Sequence, residues 1–180
     1  MTSAGGLVLT IPDPSVVVMV GPAGSGKSTL ARRLFATDEI LSSDAFRAAI
    51  AGDERDQRAT GAAFRAIARE QDGRLAQRRL TVIDATNVQP MDRRPWVAAA
   101  QRHGVAAVAI VLDLPPAMVV SQDAARQRVV GVDVIRRHIA RLRETLDSSA
   151  LAREGFRPVI VLRTPADVAA LTVVRGSALA

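Results

Sequence analysis

Cysteine is absent from the 180 residues, which excludes disulfides and cysteine-bound zinc and fits a reducing compartment. Aromatic residues make up only 3% of the chain, with no tyrosine and one tryptophan. That scarcity argues against a base-stacking platform of the single-strand-binding kind. No apolar run reaches the roughly 20 residues of a membrane helix. The start, MTSAGG, lacks the charged and apolar regions of a signal peptide. The expectation is a soluble, cytoplasmic protein with no membrane partner. Lysine is almost missing too: Lys27 is the only one, and every other cationic side chain at neutral pH is arginine.

What is present points to one folded domain, 1–180, with the ends 1–6 and 172–180 expected to fray. Hydrophobic residues are 48% of the chain, enough for a substantial core. The net charge of +6 suits an anionic partner, or reflects a compositional bias toward arginine. No internal repeat or linker interrupts the chain. Apolar runs fit for buried strands (15–20, a short one near Ile40, 80–85, 105–112, 159–162) alternate with helical patterns (27–35, 45–50, 57–79, 91–103, one opened by Pro115 and Pro116, 132–146, and a short one from Pro165). Gly61 and Gly73 should bend or break the helix at 57–79, and Pro95 is tolerable only near a first turn. The alternation predicts an α/β fold with a parallel sheet of about five strands, helices on both faces, and its functional loops at the strands' C-terminal edge.

The most informative stretch is VMVGPAGSGKSTL, residues 18–30. It fits G-x-x-x-x-G-K-[ST], with an apolar strand before it and a helical pattern after it. Gly21, Gly24 and Gly26 allow a loop, completed by Ala23 and Ser25, to turn its N–H groups inward around an anion. The helix dipole adds positive potential. Lys27 brings a compact charge to the β- and γ-phosphates, Ser28 offers a hydroxyl to Mg²⁺, and Thr29 reaches an α-phosphate. The spacing therefore predicts the P-loop NTPase fold, with ATP or another NTP and Mg²⁺ as cofactors.

Three further groups carry chemistry. Asp84 ends the apolar strand LTVID, as a ligand to magnesium through water or as a cap for Thr86 and Asn87. Asp44 and Arg47, three apart in D-A-F-R, share a helix face and pair a base with a phosphate-binding fork; the alternative is an N-cap beside a surface arginine. Arg126 and Arg128 lie in SQDAARQRVVGVD, where small P-loop kinases carry a lid (about 121–133), or else in a solvated basic loop. His103 and His138 find no metal-type partners at useful spacing and read as structural or surface residues. Trp96 reads as core.

Together these segments resemble the 5′-hydroxyl polynucleotide kinase module of bacterial polynucleotide kinase-phosphatases, enzymes of RNA end repair. The resemblance runs from Leu9 to about Val168 and is carried by GPAGSGKST, LSSDAFR, DERDQRATGAAF, LTVIDATNVQ, VIRRH and EGFRPVIVL. It implies that Asp44 is the general base for the 5′-OH and that Arg47 holds the acceptor's nearby backbone phosphate. It further implies that Lys27 and Ser28 bind phosphate and magnesium, Asp84 serves the magnesium, and Arg126 is the lid arginine on the donor phosphates. The lid departs from the family pattern: Gln122 stands where a further arginine is usual. The next stretch is one residue shorter, so Arg128 matches a later lid arginine by position only. The implied activity is phosphorylation of RNA or DNA 5′-OH ends, in nucleic-acid repair, with further repair domains or a second copy as possible company. Two other readings stay open: a small-molecule kinase for a sugar or antibiotic hydroxyl, and an ATP-dependent binding or switch module.

Overall fold

The structure is a computed structural model, and it describes residues 6–51, 60–125 and 129–177. Five parallel strands form the central sheet: β2 (Ser15–Val20), β3 (Ile40–Ser42), β4 (Thr81–Asp84), β5 (Ala106–Leu112) and β6 (Phe156–Leu162), in the order β3-β4-β2-β5-β6. The central strand β2, SVVVMV, is buried at every position. Such a run suits a strand covered on both faces.

Strand alternation sorts this core into two layers. Val16, Val18 and Val20 pack with Trp96, Ile67 and Leu142 on one face. Helices α3 (Thr60–Ala76), α4 (Pro90–Arg102) and α6 (Val132–Asp147) supply those three side chains. Val17 and Met19 pack with Leu30 and Ala31 on the other, from α1 (Lys27–Leu34). Among the described residues the remaining α-helices are α2 (Ser43–Ala51), α5 (Pro116–Ala124), α7 (Ala150–Glu154) and α8 (Pro165–Ala170).

Three local expectations need correction. Helix α3 runs unbroken through Gly61 and Gly73. Its buried stripe, Ala63, Ile67, Gln71, Arg74 and Leu75, outweighs a propensity cost of about 1 kcal/mol per glycine. Pro95 lies beyond the first turn of α4. The bond it cannot donate would have gone to Met91, which is exposed, so water can satisfy that carbonyl. The C-terminal end does not fray through 172–177. Instead β7 (Leu171–Ser177) pairs in parallel with β1 (Leu7–Asp13), Leu7 opposite Leu171 and Asp13 opposite Ser177. Leu9, Ile11 and Leu171 are all buried in the layer that also holds Val17 and Met19, so this small sheet helps α1 cover that face.

Deleting residues 171–180 should therefore lower stability by about 3 kcal/mol or more, because Leu9 and Ile11 lose their cover. Urea unfolding of the truncated chain measures this, and an unchanged midpoint would show the pair to be dispensable.

Candidate active site

The register of three strands places the site. Ser42, Asp84 and Met19 are direct neighbours across β3, β4 and β2. Adjacent strands lie about 4.8 Å apart, so the chain leaves the sheet at three points on one line. From Met19 it enters the glycine loop within two residues, and from Ser42 it reaches Asp44 in two. Asp84 is itself on the line. It alternates with Ile83, whose side chain joins the α3/α4 layer, and so projects toward α1, which carries Ser28.

The loop is built as the motif requires. Gly26 caps α1 in the left-handed region, φ 88°, without a side-chain cap and with no acidic residue in the first turn. Gly24 also has positive φ, 81°, and a Cβ there would stand 3.0 Å from the Asp123 Cβ and 3.1 Å from the Val119 carbonyl. Both the backbone angle and the close approach of α5 demand glycine. Lys27 is buried, and its Nζ donates to the Pro22 carbonyl at 2.7 Å across the loop. The Ser25 hydroxyl is buried with no hydrogen-bond partner. An orphaned hydroxyl inside a ring of amides fits a phosphate oxygen as its acceptor.

The two acidic segments reach the same space. A cleft of about 1240 Å³ is lined by the loop, Ser28 and Thr29, by Asp44 and Arg47, and by Asp84. Asp44 and Arg47 form an ion pair, with the arginine side chain 11% exposed and the carboxylate 41%. Thr60 and Phe64 border the cleft from α3, and Phe64 stacks on Trp96 at 5.9 Å between centroids. Asp92 also lines it, with its carboxyl pushed up by burial while it accepts the Gln89 N–H. Among the described residues no three His, Cys, Asp or Glu are clustered to hold a metal alone. A magnesium ion fits nonetheless, since it takes few protein oxygens and completes its shell with phosphate and water.

Behind the cleft a hydrogen-bonded frame fixes the spacing. The Gly21 N–H donates to the Thr86 carbonyl at 2.9 Å. The Asn87 amide donates to Met19 O at 2.8 Å and Ala85 O at 3.3 Å, and its Oδ1 accepts the Trp96 indole N–H at 3.0 Å. Arg93, fully buried, donates to the Asn87 carbonyl and is held in a bidentate pair by Glu154 of α7. Trp96 is core, as expected.

Arg126 and Arg128 lie outside the described residues, as do 52–59, which include DERDQRA. Gln122 lines the cleft from α5. Sequence reasoning missed three residues here: Asn87 as a bridge, Asp123 and His138. Asp123 is buried and accepts the Val130 and Gly131 N–H groups, which secures the approach to α6. His103 is structural, paired with Asp72. His138 lines the cleft: its Nδ1 accepts the Ala23 N–H at 3.3 Å, and burial, then Lys27, then Arg137 hold its pKa below the ordinary histidine value. The available signal was helical spacing, because 138 falls on the face of the buried Ile135, Ile139 and Leu142.

A family profile described as an AAA domain matches residues 16–148. No curated protein matches. Among solved structures, a chain from the Pnkp1/Rnl/Hen1 RNA repair complex is similar with TM-score 0.66 at 22% identity, over 76% of this chain and 46% of that one. A gluconokinase from Sinorhizobium meliloti is similar with TM-score 0.58 at 16% identity, over 88% and 87%. A sugar kinase from Janibacter is similar with TM-score 0.54 at 21% identity, over 83% and 85%. This chain thus spans under half the length of the repair-complex chain. The fold is that of P-loop kinases.

Gly24→Ala should cost about 1–2 kcal/mol from the left-handed angle alone, with weaker MgATP binding as the loop shifts from Asp123; thermal unfolding and nucleotide titration read the two effects. His138 makes stability depend on pH. Its folded pKa is depressed, so its contribution is complete above about pH 6.5 and is lost as pH falls through the folded value. His138→Asn should flatten that decline in unfolding midpoints between pH 7.5 and 5.5, and parallel profiles would refute the assignment.

Proposed function

The chain belongs to the AAA domain family, and we propose that it transfers the γ-phosphoryl group of ATP or another NTP to the 5′-OH end of RNA or DNA. One observation carries this reading: the Asp44–Arg47 pair lines the same roomy cleft as Lys27 and the glycine loop. A base and a phosphate-binding fork, three residues apart, are what a polynucleotide end requires, because its backbone phosphate lies one nucleotide from the attacking hydroxyl. Similarity in fold to the RNA repair complex lends support, and further repair proteins, attached domains or a second copy are the partners such a role expects.

In this reading the loop amides, the Ser25 hydroxyl and Lys27 bind the phosphate chain, and Thr29 reaches toward the α-phosphate. Ser28 and Asp84 would hold magnesium, whose chemistry there is neutralisation of phosphate charge. Arg47 positions the acceptor by its phosphate. Asp44 takes the proton of the attacking hydroxyl as oxygen bonds to the γ-phosphorus and the bond to the bridging oxygen breaks, leaving ADP. Arg126, with Arg128, contributes charge from the lid. Arg47 also holds the Asp44 carboxylate, so base and acceptor are oriented by one side chain.

Transfer from γ-labelled ATP to 5′-OH oligonucleotides, RNA and DNA side by side, tests the proposal. Asp44→Ala should lose about 10²-fold or more in transfer while still binding MgATP. Retained transfer would remove Asp44 as the base. Wild-type use of a plain nucleoside as readily as its 3′-phosphate would favour a small-molecule acceptor instead. Label released only as free phosphate would favour a switch module.

A further inference from the structure

His138 is a titratable side chain in the cleft that the transfer step leaves unused. It comes from α6, 115 residues after the loop it touches, and Ile135, Ile139 and Leu142 anchor its helix face in the core. Accepting the Ala23 N–H requires a bare lone pair on Nδ1, so the ring is neutral here with its proton on Nε2. The charged groups acting on it are Lys27 from α1 and Arg137 from its own helix, both cationic. From α5 the nearby carboxylate of Asp123 is committed to the Val130 and Gly131 N–H groups.

Burial lowers the His138 pKa most, and a triphosphate in the loop would offset the cationic contribution that adds to it. It sets several negative charges against Lys27, and the repulsion felt by the imidazole becomes attraction. It also competes for the N–H groups of the loop, the Ala23 N–H that His138 accepts among them. Once that N–H turns to phosphate, Nδ1 loses its donor and can itself carry a proton toward a phosphate oxygen. A charged imidazole donor makes a stronger bond to phosphate than a neutral one.

We propose that His138 is a ligand for the donor's phosphate chain, bound as the imidazolium, so that a proton enters from solvent with the nucleotide. This rests on the loop being a nucleoside triphosphate site and is independent of what the acceptor is. His138 then links two states of the cleft: neutral and seated on Ala23 before the nucleotide arrives, charged and seated on phosphate afterward.

Calorimetric titration of the full chain with MgATP at pH 7, without acceptor, in two buffers of different ionisation enthalpy, counts the protons exchanged. The wild type should take up about half a proton or more per nucleotide. His138→Asn keeps an acceptor oxygen near the position of Nδ1, and so preserves the bond to Ala23. It should abolish the uptake and weaken MgATP by roughly tenfold. Wild-type binding with no buffer dependence, or the same uptake in the variant, overturns the inference. A wild type that does not bind MgATP overturns it together with the nucleotide reading of the loop. Proton uptake in a protein that phosphorylates no 5′ end would leave the histidine in place and remove only the acceptor assignment.

Discussion

The carboxamide of Asn87 is the interaction on which the site's geometry depends. One NH₂ group ties the end of β2 to the turn after β4, and its oxygen is pinned by the Trp96 indole. These are the strand ends that deliver the glycine loop and Asp84. If their separation changed, the glycine loop and the Asp84 carboxylate would drift apart with no other direct side-chain tie described between them. The cost of burying so much polarity is offset by saturation. Arg93 spends its guanidinium on a carboxylate and a carbonyl, and Asn87 satisfies both of its functional groups. Asn87 adopts φ 50°, a left-handed conformation that asparagine tolerates better than most residues, so the bridge and the turn are served by one side chain.

Charge in the cleft follows a similar economy. Lys27 is held by a loop carbonyl, Arg47 by Asp44, and the His138 imidazole is held below its ordinary pKa by burial first and then by its cationic neighbours. A compact ammonium on a flexible stem can leave a carbonyl for a phosphate, whereas a guanidinium demands a planar fork that so tight a loop would not admit. That contrast gives a physical reason for a single lysine in a chain otherwise reliant on arginine.

Much of this was legible in the sequence because its causes are local. The glycine loop announces itself by spacing, β2 and β5 by unbroken apolar runs, and Asp84 by a carboxylate closing such a run. Asp44 and Arg47 follow from one turn of helix. What stayed hidden depends on partners far along the chain. LTVVRGS resembles a loose end until LVLTIPD is laid beside it, a pairing that no window of neighbouring residues contains. His138 looked idle because its partner is a backbone amide 115 positions earlier, and a search for metal-type ligands does not see amides. Gly61 and Gly73 misled for the opposite reason: intrinsic preference was visible, while the packing that overrules it was not.

The β1–β7 pair has a mechanical consequence. Its strands run in the same direction, so the chain enters the ladder beside Leu171 and leaves it beside Asp13, seven residues along. At about 3.3 Å per residue the two exits stand some 20 Å apart at opposite ends. Tension applied between the termini would load this ladder in shear, with its backbone bonds sharing the force at once instead of unzipping singly. The nucleotide fold behind it would be shielded from pull on either flank until that small clamp gave way.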